Sequence, residues 1–389
     1  MYAHRSSRRL AAPTESASPR RQRLPELDLL RAIALLAVVF IHAGSWLSGA
    51  DVPPDHDPVA AAIALARFCV PAFLFASGLA LYRSHGRPAD PLCFLRRRWL
   101  RILVPWLVWA PVYAAADVLL GRLSPDPKDV AVWFAYGGGH LYFLLLIAQL
   151  SLLLPALPTC RRWLVGLAAL VLAAQLALDA LHTYGPPASG ALAWPYTYLT
   201  PVEAPFWAGW FLLGCLAGWA YDRHLTRLAW LWPLSLAATV ASSVAVLMEG
   251  RAVPEDWWRQ GTNAFLWPAV VLQGFTVALT LLWGGRRLAG VVSAAWLWRP
   301  VRGLSQHSLG VYVIHVLLLD LLGALVGGWP PVLRIAVLLA GGLGLAYLAT
   351  RGLATTRPGA LAVGEQRSPV EIPWLDLVRA QARRWRITG

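Results

Sequence analysis

The chain has 389 residues, of which 58% are hydrophobic and only 14% are charged. Soluble domains usually carry about 25% charged residues, so this composition excludes an ordinary set of soluble domains. The net charge of +14 would suggest a nucleic-acid partner in a soluble chain, but long apolar runs such as residues 162–182 make the lipid bilayer the expected partner and exclude nucleic acid.

Ten apolar stretches follow one another along the chain. Each is close to the length of about 20 residues that a helix needs to cross a bilayer. Each must be helical, because lipid offers no partners for backbone N–H and C=O groups. We therefore predict an all-α fold, a polytopic integral membrane bundle of about ten transmembrane helices. The predicted spans are residues 33–50, 58–82, 99–121, 138–158, 162–182, 204–221, 228–248, 263–284, 305–326 and 331–350.

Three regions follow from this pattern. Residues 1–24 are polar and Arg-rich, which predicts a disordered, basic cytoplasmic tail. Residues 25–350 form the ten-span domain, whose first span is long enough to stay in the membrane uncleaved. Residues 351–389 are predicted to form a cytoplasmic C-terminal tail. The four cysteines have no CxxC spacing, so we expect neither a metal site nor a redox site.

Positive charge is unevenly divided between the two sides of the predicted bundle. When the loops are assigned to alternate sides, all but six of the 34 Lys and Arg residues fall on the side of the N-terminus. Loops rich in Lys and Arg stay in the cytoplasm. We therefore expect both termini to be cytoplasmic and the protein to lie in the cell membrane. The six exceptions are Arg67, Arg122, Lys128, Arg251, Arg259 and Arg334.

The first span carries polar residues on one helical face. Asp28, Arg31 and His42 are related by alternating steps of three and four residues, which align them along the helix. Asp28 and Arg31 are one turn apart and can pair, whereas His42 lies about 16 Å deeper than Arg31. Ionisable residues inside a membrane usually mark a functional site, and imidazole can accept a proton from a hydroxyl group. The alternatives are an interfacial ion pair and a histidine that bonds a neighbouring helix.

A cluster of arginines precedes the third span on the predicted cytoplasmic side. Its members are Arg96, Arg97, Arg98 and Arg101. The planar guanidinium group can bind two phosphate oxygens at once, so the cluster suits a phosphorylated ligand. The alternative is a cluster that fixes topology and contacts anionic lipid headgroups.

Two later spans also carry polar residues. In the ninth span, Ser308, Tyr312 and His315 lie at i, i+4 and i+7 on an otherwise apolar helix. His315 is expected at a depth similar to that of His42, which suggests a shared cavity, with hydrogen bonding between helices as the alternative. His140 follows three glycines near the predicted outer surface, where an ordinary interfacial histidine is the alternative interpretation.

Five motifs in order resemble those of a known family. They are the R-x10-H pattern of Arg31 and His42, FCVPAFLFASGLALY (68–82, with Ser77), RRRWLRILVPW (96–106), HLYFL (140–144) and SLGVYVIHVLLL (308–319). The chain resembles the integral-membrane acyltransferase family 3, which includes O-antigen, peptidoglycan and Nod-factor acylases and macrolide acyltransferases. The resemblance covers residues 24–350, and members of the family typically have ten spans.

The resemblance implies transfer of an acyl group from cytoplasmic acyl-CoA, a co-substrate, to a hydroxyl group of a glycan, a lipid or a macrolide. It implies no permanently bound cofactor. His42 would be the general base, with Arg31 and Asp28 ordering the cytoplasmic mouth, and a covalent acyl-histidine intermediate is the alternative. The remaining roles would fall to Arg97, Arg98 and Arg101 for the CoA phosphates, and to His315, Tyr312, Ser308, His140 and Ser77 for the substrate cavity.

A multi-pass transporter of a sugar or lipid-linked precursor is the competing hypothesis, because intramembrane histidines also suit proton-coupled transport. The sequence has no matched pair of Gly- or Pro-broken spans in its two halves, the pattern typical of transporters with inverted repeats. Release of free CoA from acyl-CoA in the presence of an acceptor distinguishes an acyltransferase from a transporter.

Overall fold

The computed structural model describes residues 23–48, 58–185, 203–252, 264–292 and 294–365. Most of the predicted N-terminal tail and the chain beyond Glu365 lie outside these described residues. The α-helices are α1 (Pro25–Ser48), α2 (Pro58–Ala66), α3 (Cys69–His85), α4 (Pro91–Leu119), α5 (Pro127–Ala135), α6 (Tyr142–Leu150), α7 (Leu153–Ala156), α8 (Arg161–Tyr184), α9 (Ala208–Ala220), α10 (Trp232–Ala252), α11 (Pro268–Val291), α12 (Ala295–Gln306), α13 (Ser308–Val326), α14 (Pro331–Leu353) and α15 (Arg357–Ala362).

Nine helical segments in the described part of the chain are long and apolar enough to cross a membrane. The predicted span 204–221 corresponds to the shorter α9, whose 13 residues rise only about 20 Å, and a π-helical turn at Tyr221–Leu225 follows it. Two other predicted spans are divided, residues 58–82 into α2 and α3 and residues 138–158 into α6 and α7. The polytopic helical bundle predicted from hydropathy is confirmed.

Helices α3 and α9 touch through their backbones. A Cβ atom at Gly78 would lie 2.1 Å from the carbonyl oxygen of Phe211, and one at Gly214 would lie 2.1 Å from that of Phe75. Gly214 and Gly218 also have the GxxxG spacing. Because lipid tails are as apolar as the helices, close van der Waals packing of small residues replaces the hydrophobic effect as the driving force. Glycine is therefore required at this contact.

Helix α4 is anchored at several points along its length. The Asp90 carboxylate caps its first turn by accepting a hydrogen bond of 2.9 Å from the backbone N–H of Cys93. The indole of Trp99 donates to the carbonyl oxygen of Ala148 at 3.1 Å, and the indole of Trp106 donates to that of Gly137 at 2.7 Å. These bonds fix α4 against α6 and the glycine turn before it.

Helix α1 lies at the centre of the bundle, where it packs against α2, α3 and α11 to α14. Arg23, just before α1, lines the same cavity as Arg101 of α4. Arg101 in turn donates a hydrogen bond to Gly364, next to the last described residue. Both ends of the described chain therefore lie on one face of the bundle, here named the N-terminal face. Its location in the cytoplasm remains a prediction from charge.

Candidate active site

Three histidines from different elements meet inside the bundle. His42 comes from α1, His315 from α13, and His140 from a short 3₁₀ turn, Gly139–Leu141. The ring centroids lie 5.1 Å apart for His42 and His315, 5.8 Å for His42 and His140, and 5.4 Å for His140 and His315. The structure thus brings together the two histidines that the sequence placed at equal depth, and it adds a third.

A glycine turn brings His140 into the bundle. Gly137, Gly138 and Gly139 all have positive φ angles, of 89°, 78° and 60°. A side chain at Gly137 would also meet the Tyr142 Cα at 2.5 Å. Because positive φ is readily adopted only by glycine, this run can fold where other residues would be strained. His140 therefore belongs to the histidine cluster inside the bundle.

A hydrogen bond to the backbone indicates the tautomer of the neutral His315 ring. Its side chain is fully buried, and Nδ1 lies 2.7 Å from the carbonyl oxygen of Tyr312. A carbonyl oxygen can only accept, so Nδ1 carries the proton and donates. In the neutral ring, Nε2 then presents a lone pair, and this buried atom has no partner among the described residues.

The other two rings also leave nitrogen atoms free. His140 Nε2 is buried and has no hydrogen-bond partner in the described ranges. His42 is partly exposed, and its ring nitrogens form no hydrogen bond with any described residue. No group of His, Cys, Asp or Glu side chains within those ranges has the geometry to hold a metal ion. Three imidazoles with unused nitrogen atoms give this cluster the capacity to accept and donate protons.

A cavity of about 460 Å³ lies at the N-terminal face. An adjoining cavity of about 410 Å³ shares three of its arginines and adds Arg97, whereas Arg96 is exposed and lines neither cavity. Two further arginines at the first cavity, Arg23 and Arg83, were not anticipated from the sequence. The predicted site residues that line the larger cavity are Asp28, Arg31, Ser77, Arg98, Arg101, Ser308 and Tyr312.

Asp28 has other partners than the one expected. Arg23 donates to both of its carboxylate oxygens, with Nε–Oδ2 at 2.6 Å and Nη2–Oδ1 at 3.0 Å. Ser305 Oγ donates to Oδ1 at 2.7 Å. The expected pair of Asp28 with Arg31 is therefore wrong for the described residues. Arg23 precedes α1, and its side chain extends along the first turn of the helix to Asp28, a contact that helical spacing does not predict.

The three arginines that line both cavities form no ion pair with a carboxylate among the described residues. Arg31 has no carboxylate within ion-pair distance among the described residues, although Asp28, which bonds Arg23, still attracts it electrostatically. Arg98 Nε is buried without a hydrogen-bond partner in the same ranges. Arg101 uses its Nε atom in a 2.8 Å bond to the Gly364 carbonyl oxygen. Several guanidinium groups around one partly enclosed space attract an anion strongly.

Tyr312 lies between the arginine-lined cavity and the histidines. It lines the cavity, and its ring centroid lies 5.6 Å from that of His140 and 5.8 Å from that of His315. Its hydroxyl donates to the carbonyl oxygen of His140. Tyr312 therefore links the cavity to the cluster, although none of the three histidines is among the residues that line the cavity.

Two supporting contacts to α13, one from α4 and one from the turn after it, were not found from the sequence. Tyr113, whose ring centroid lies 4.6 Å from that of His140, donates to Val313 at 3.0 Å and accepts from the N–H of Leu317 at 3.1 Å. Beyond it, Arg122 donates to both carboxylate oxygens of Asp320 at 2.8 and 2.9 Å. These bonds to Asp320 raise the pKa of Arg122 and keep it charged. Together they fix α13 beside the histidine cluster.

Comparison with known proteins assigns the chain to a family. A family model described as an acyltransferase domain matches residues 24–351, which is most of the chain and includes every motif discussed above. No curated protein and no solved structure matches the chain. The resemblance read from the motifs is thereby confirmed. The chain belongs to the acyltransferase-3 family of multi-pass membrane acyltransferases.

Proposed function

We propose that the protein is an O-acyltransferase of the cell membrane. It moves an acyl group from cytoplasmic acyl-CoA to a hydroxyl group of a sugar, a surface glycan or lipid, or a glycosylated secondary metabolite such as a macrolide. Membership of the family supports acyl transfer as the reaction class. One observation supports the finer proposal: Tyr312 lines the arginine-rich cavity, and its ring also contacts the imidazoles of His140 and His315, whose Nε2 atoms are unused.

The cavity suits the two chemically different parts of an acyl-CoA. Arg31, Arg98 and Arg101 would bind its phosphates through charge-assisted hydrogen bonds. The inner wall, which includes Phe73 and Phe143, is apolar and suits the long, thin pantetheine arm. Arg31 and His42 are eleven residues apart on α1, or about 16 Å, so the arm would carry the thioester from the mouth toward the imidazoles.

His42 is the preferred general base. His42 is partly exposed and its ring nitrogens form no hydrogen bond with a described residue, whereas His315 is fully buried, so His42 is the more accessible of the two. His42 takes the hydroxyl proton as the oxygen attacks the thioester carbonyl carbon. A C–O bond forms and the C–S bond breaks. The departing thiolate takes the proton back from the imidazolium, so the products are the acyl ester and free CoA.

The test uses purified full-length protein with labelled acetyl-, propionyl- and isovaleryl-CoA and a panel of sugars and glycosylated macrolides. We expect release of free CoA that depends on the acceptor, together with transfer of label to one acceptor class. The His42→Ala variant is the matched control. Uptake of a sugar or lipid-linked precursor without CoA release would favour the transporter instead. Label bound to the protein in the absence of acceptor would favour the acyl-histidine route.

A further inference from the structure

The chain folds back onto the N-terminal face after its last long helix. Residues 357–365, here named the C-terminal segment, consist of α15 and the turn that follows it. The segment packs against α4 and α14, and Ala360 and Val363 are buried in this contact. It lies wholly outside residues 24–351, the part of the chain that the family model covers.

Two side chains of α4 donate hydrogen bonds to the backbone of this segment. Arg101 Nε donates to the carbonyl oxygen of Gly364 at 2.8 Å, and Trp109 Nε1 donates to that of Ala362 at 2.9 Å. Glu365 pairs with the ring of His307, at the start of α13. The segment therefore connects α4, which supplies Arg98 and Arg101, to the start of α13, which supplies His315.

The conformation of Gly364 makes its carbonyl oxygen available to Arg101. Gly364 ends α15 with a φ of +66°, in the left-handed region that favours glycine. A Cβ atom there would lie 2.8 Å from the Arg101 carbonyl oxygen and 2.3 Å from a methyl group of Leu309. Another residue at this position would have to move the turn, and the accepting oxygen with it.

We propose that the C-terminal segment is part of the donor site and that Gly364 positions Arg101 for the phosphates of the donor. This inference rests on the proposed function. An arginine held through Nε has its guanidinium plane fixed, while its two terminal nitrogens stay available for a bidentate contact with phosphate. Arg101 lines both cavities at the N-terminal face, so its orientation affects any anion bound there. Gly364 acts through Arg101, which makes it a positioning residue.

The test compares Gly364→Ala with Gly352→Ala in full-length protein. Gly352 is an exposed glycine near the end of α14, and a Cβ atom there would meet nothing within 4 Å, so it is the matched control. The probe is coenzyme A, with its Kd measured directly and the KM values for acyl-CoA and acceptor measured alongside. Gly364→Ala should raise the Kd and the donor KM about tenfold, with kcat and the acceptor KM nearly unchanged. The control should change none of these values.

A double-mutant cycle separates positioning from general destabilisation. If Gly364 acts through Arg101, Gly364→Ala should add almost nothing to the loss of CoA affinity in an Arg101→Gln protein. Equal losses in both backgrounds would overturn the inference. If Gly364→Ala does not fold, Trp109→Phe replaces it in the test. This variant keeps an aromatic ring but removes the N–H that donates to Ala362, and it should also weaken CoA binding selectively.

The outcomes for the donor site and for the C-terminal segment can be told apart. A wild-type protein that does not bind coenzyme A would refute the proposed donor and this inference with it. A wild-type protein that binds it, with a folded Gly364→Ala variant of unchanged affinity, would refute only the role of the C-terminal segment.

Discussion

Replacing His42 with alanine tests the central proposal, because the proposed chemistry needs this side chain and few contacts of the ring depend on it. Its ring is partly exposed, its nitrogens form no hydrogen bond with a described residue, and its ring neighbours are the imidazoles of His140 and His315. Removing it breaks no hydrogen bond of the ring within those ranges. We expect a loss of stability of about 1 kcal/mol or less, the usual size for a single substitution.

The expected loss of activity is far larger. A positioned general base typically contributes about 10²- to 10⁴-fold to the rate, which is about 3 to 5 kcal/mol of transition-state stabilisation. His315→Ala should behave differently. His315 is fully buried and donates to the Tyr312 carbonyl oxygen, so its removal leaves a cavity and should also cost about 1 to 3 kcal/mol of stability.

The assay pairs the rate of acceptor-dependent CoA release with the melting temperature of the detergent-solubilised protein. His224→Ala is the control, because His224 is exposed and lies outside the cluster. His42→Ala should lose its turnover and keep its melting temperature, whereas His315→Ala should lose both. Near-normal turnover in His42→Ala would refute the assignment. An inactive but fully stable His315→Ala, together with an active His42→Ala, would identify His315 as the general base instead.

Three further predictions address the donor site, the packing and the topology. The double variant Arg98→Gln/Arg101→Gln should raise the KM for acyl-CoA much more than the KM for the acceptor. Added salt should also weaken donor binding to the wild type, because it screens the charges. Unchanged donor affinity in a folded variant would leave these arginines only a topological role. Gly78→Ala should lower the melting temperature, because the new methyl group would lie 2.1 Å from a backbone oxygen. Gly166→Ala, on an exposed and open surface of α8, should be neutral or stabilising by up to about 1 kcal/mol. The topology test is Ala89→Cys in a protein whose four native cysteines are replaced by serine. This cysteine should react with an impermeant thiol reagent only after the membrane is permeabilised. Labelling on intact cells would contradict the predicted orientation.

The sequence alone determined the features that depend on near neighbours in the chain. Apolar runs of membrane-spanning length predicted the helical bundle, and the ordered motifs predicted the family, which the match over residues 24–351 confirms. Helical spacing aligned Arg31 and His42 on one face of α1. In the structure, Arg31 lines the cavity at the N-terminal face, and His42 lies in the histidine cluster, which the cavity residue Tyr312 contacts.

Only the tertiary structure decided which distant groups meet. His140 reaches the cluster because three glycines with positive φ turn the chain inward, although hydropathy suggests an interfacial position for it. Asp28 pairs with Arg23 instead of Arg31, and Arg101 binds Gly364, a residue 263 positions away. Periodicity relates residues within a few helical turns, whereas these contacts depend on how separate helices pack and which backbone atoms that packing leaves open. For that reason the sequence predicted the helices and several residues that the structure brings together in the candidate site, and the packing of the bundle selected their partners.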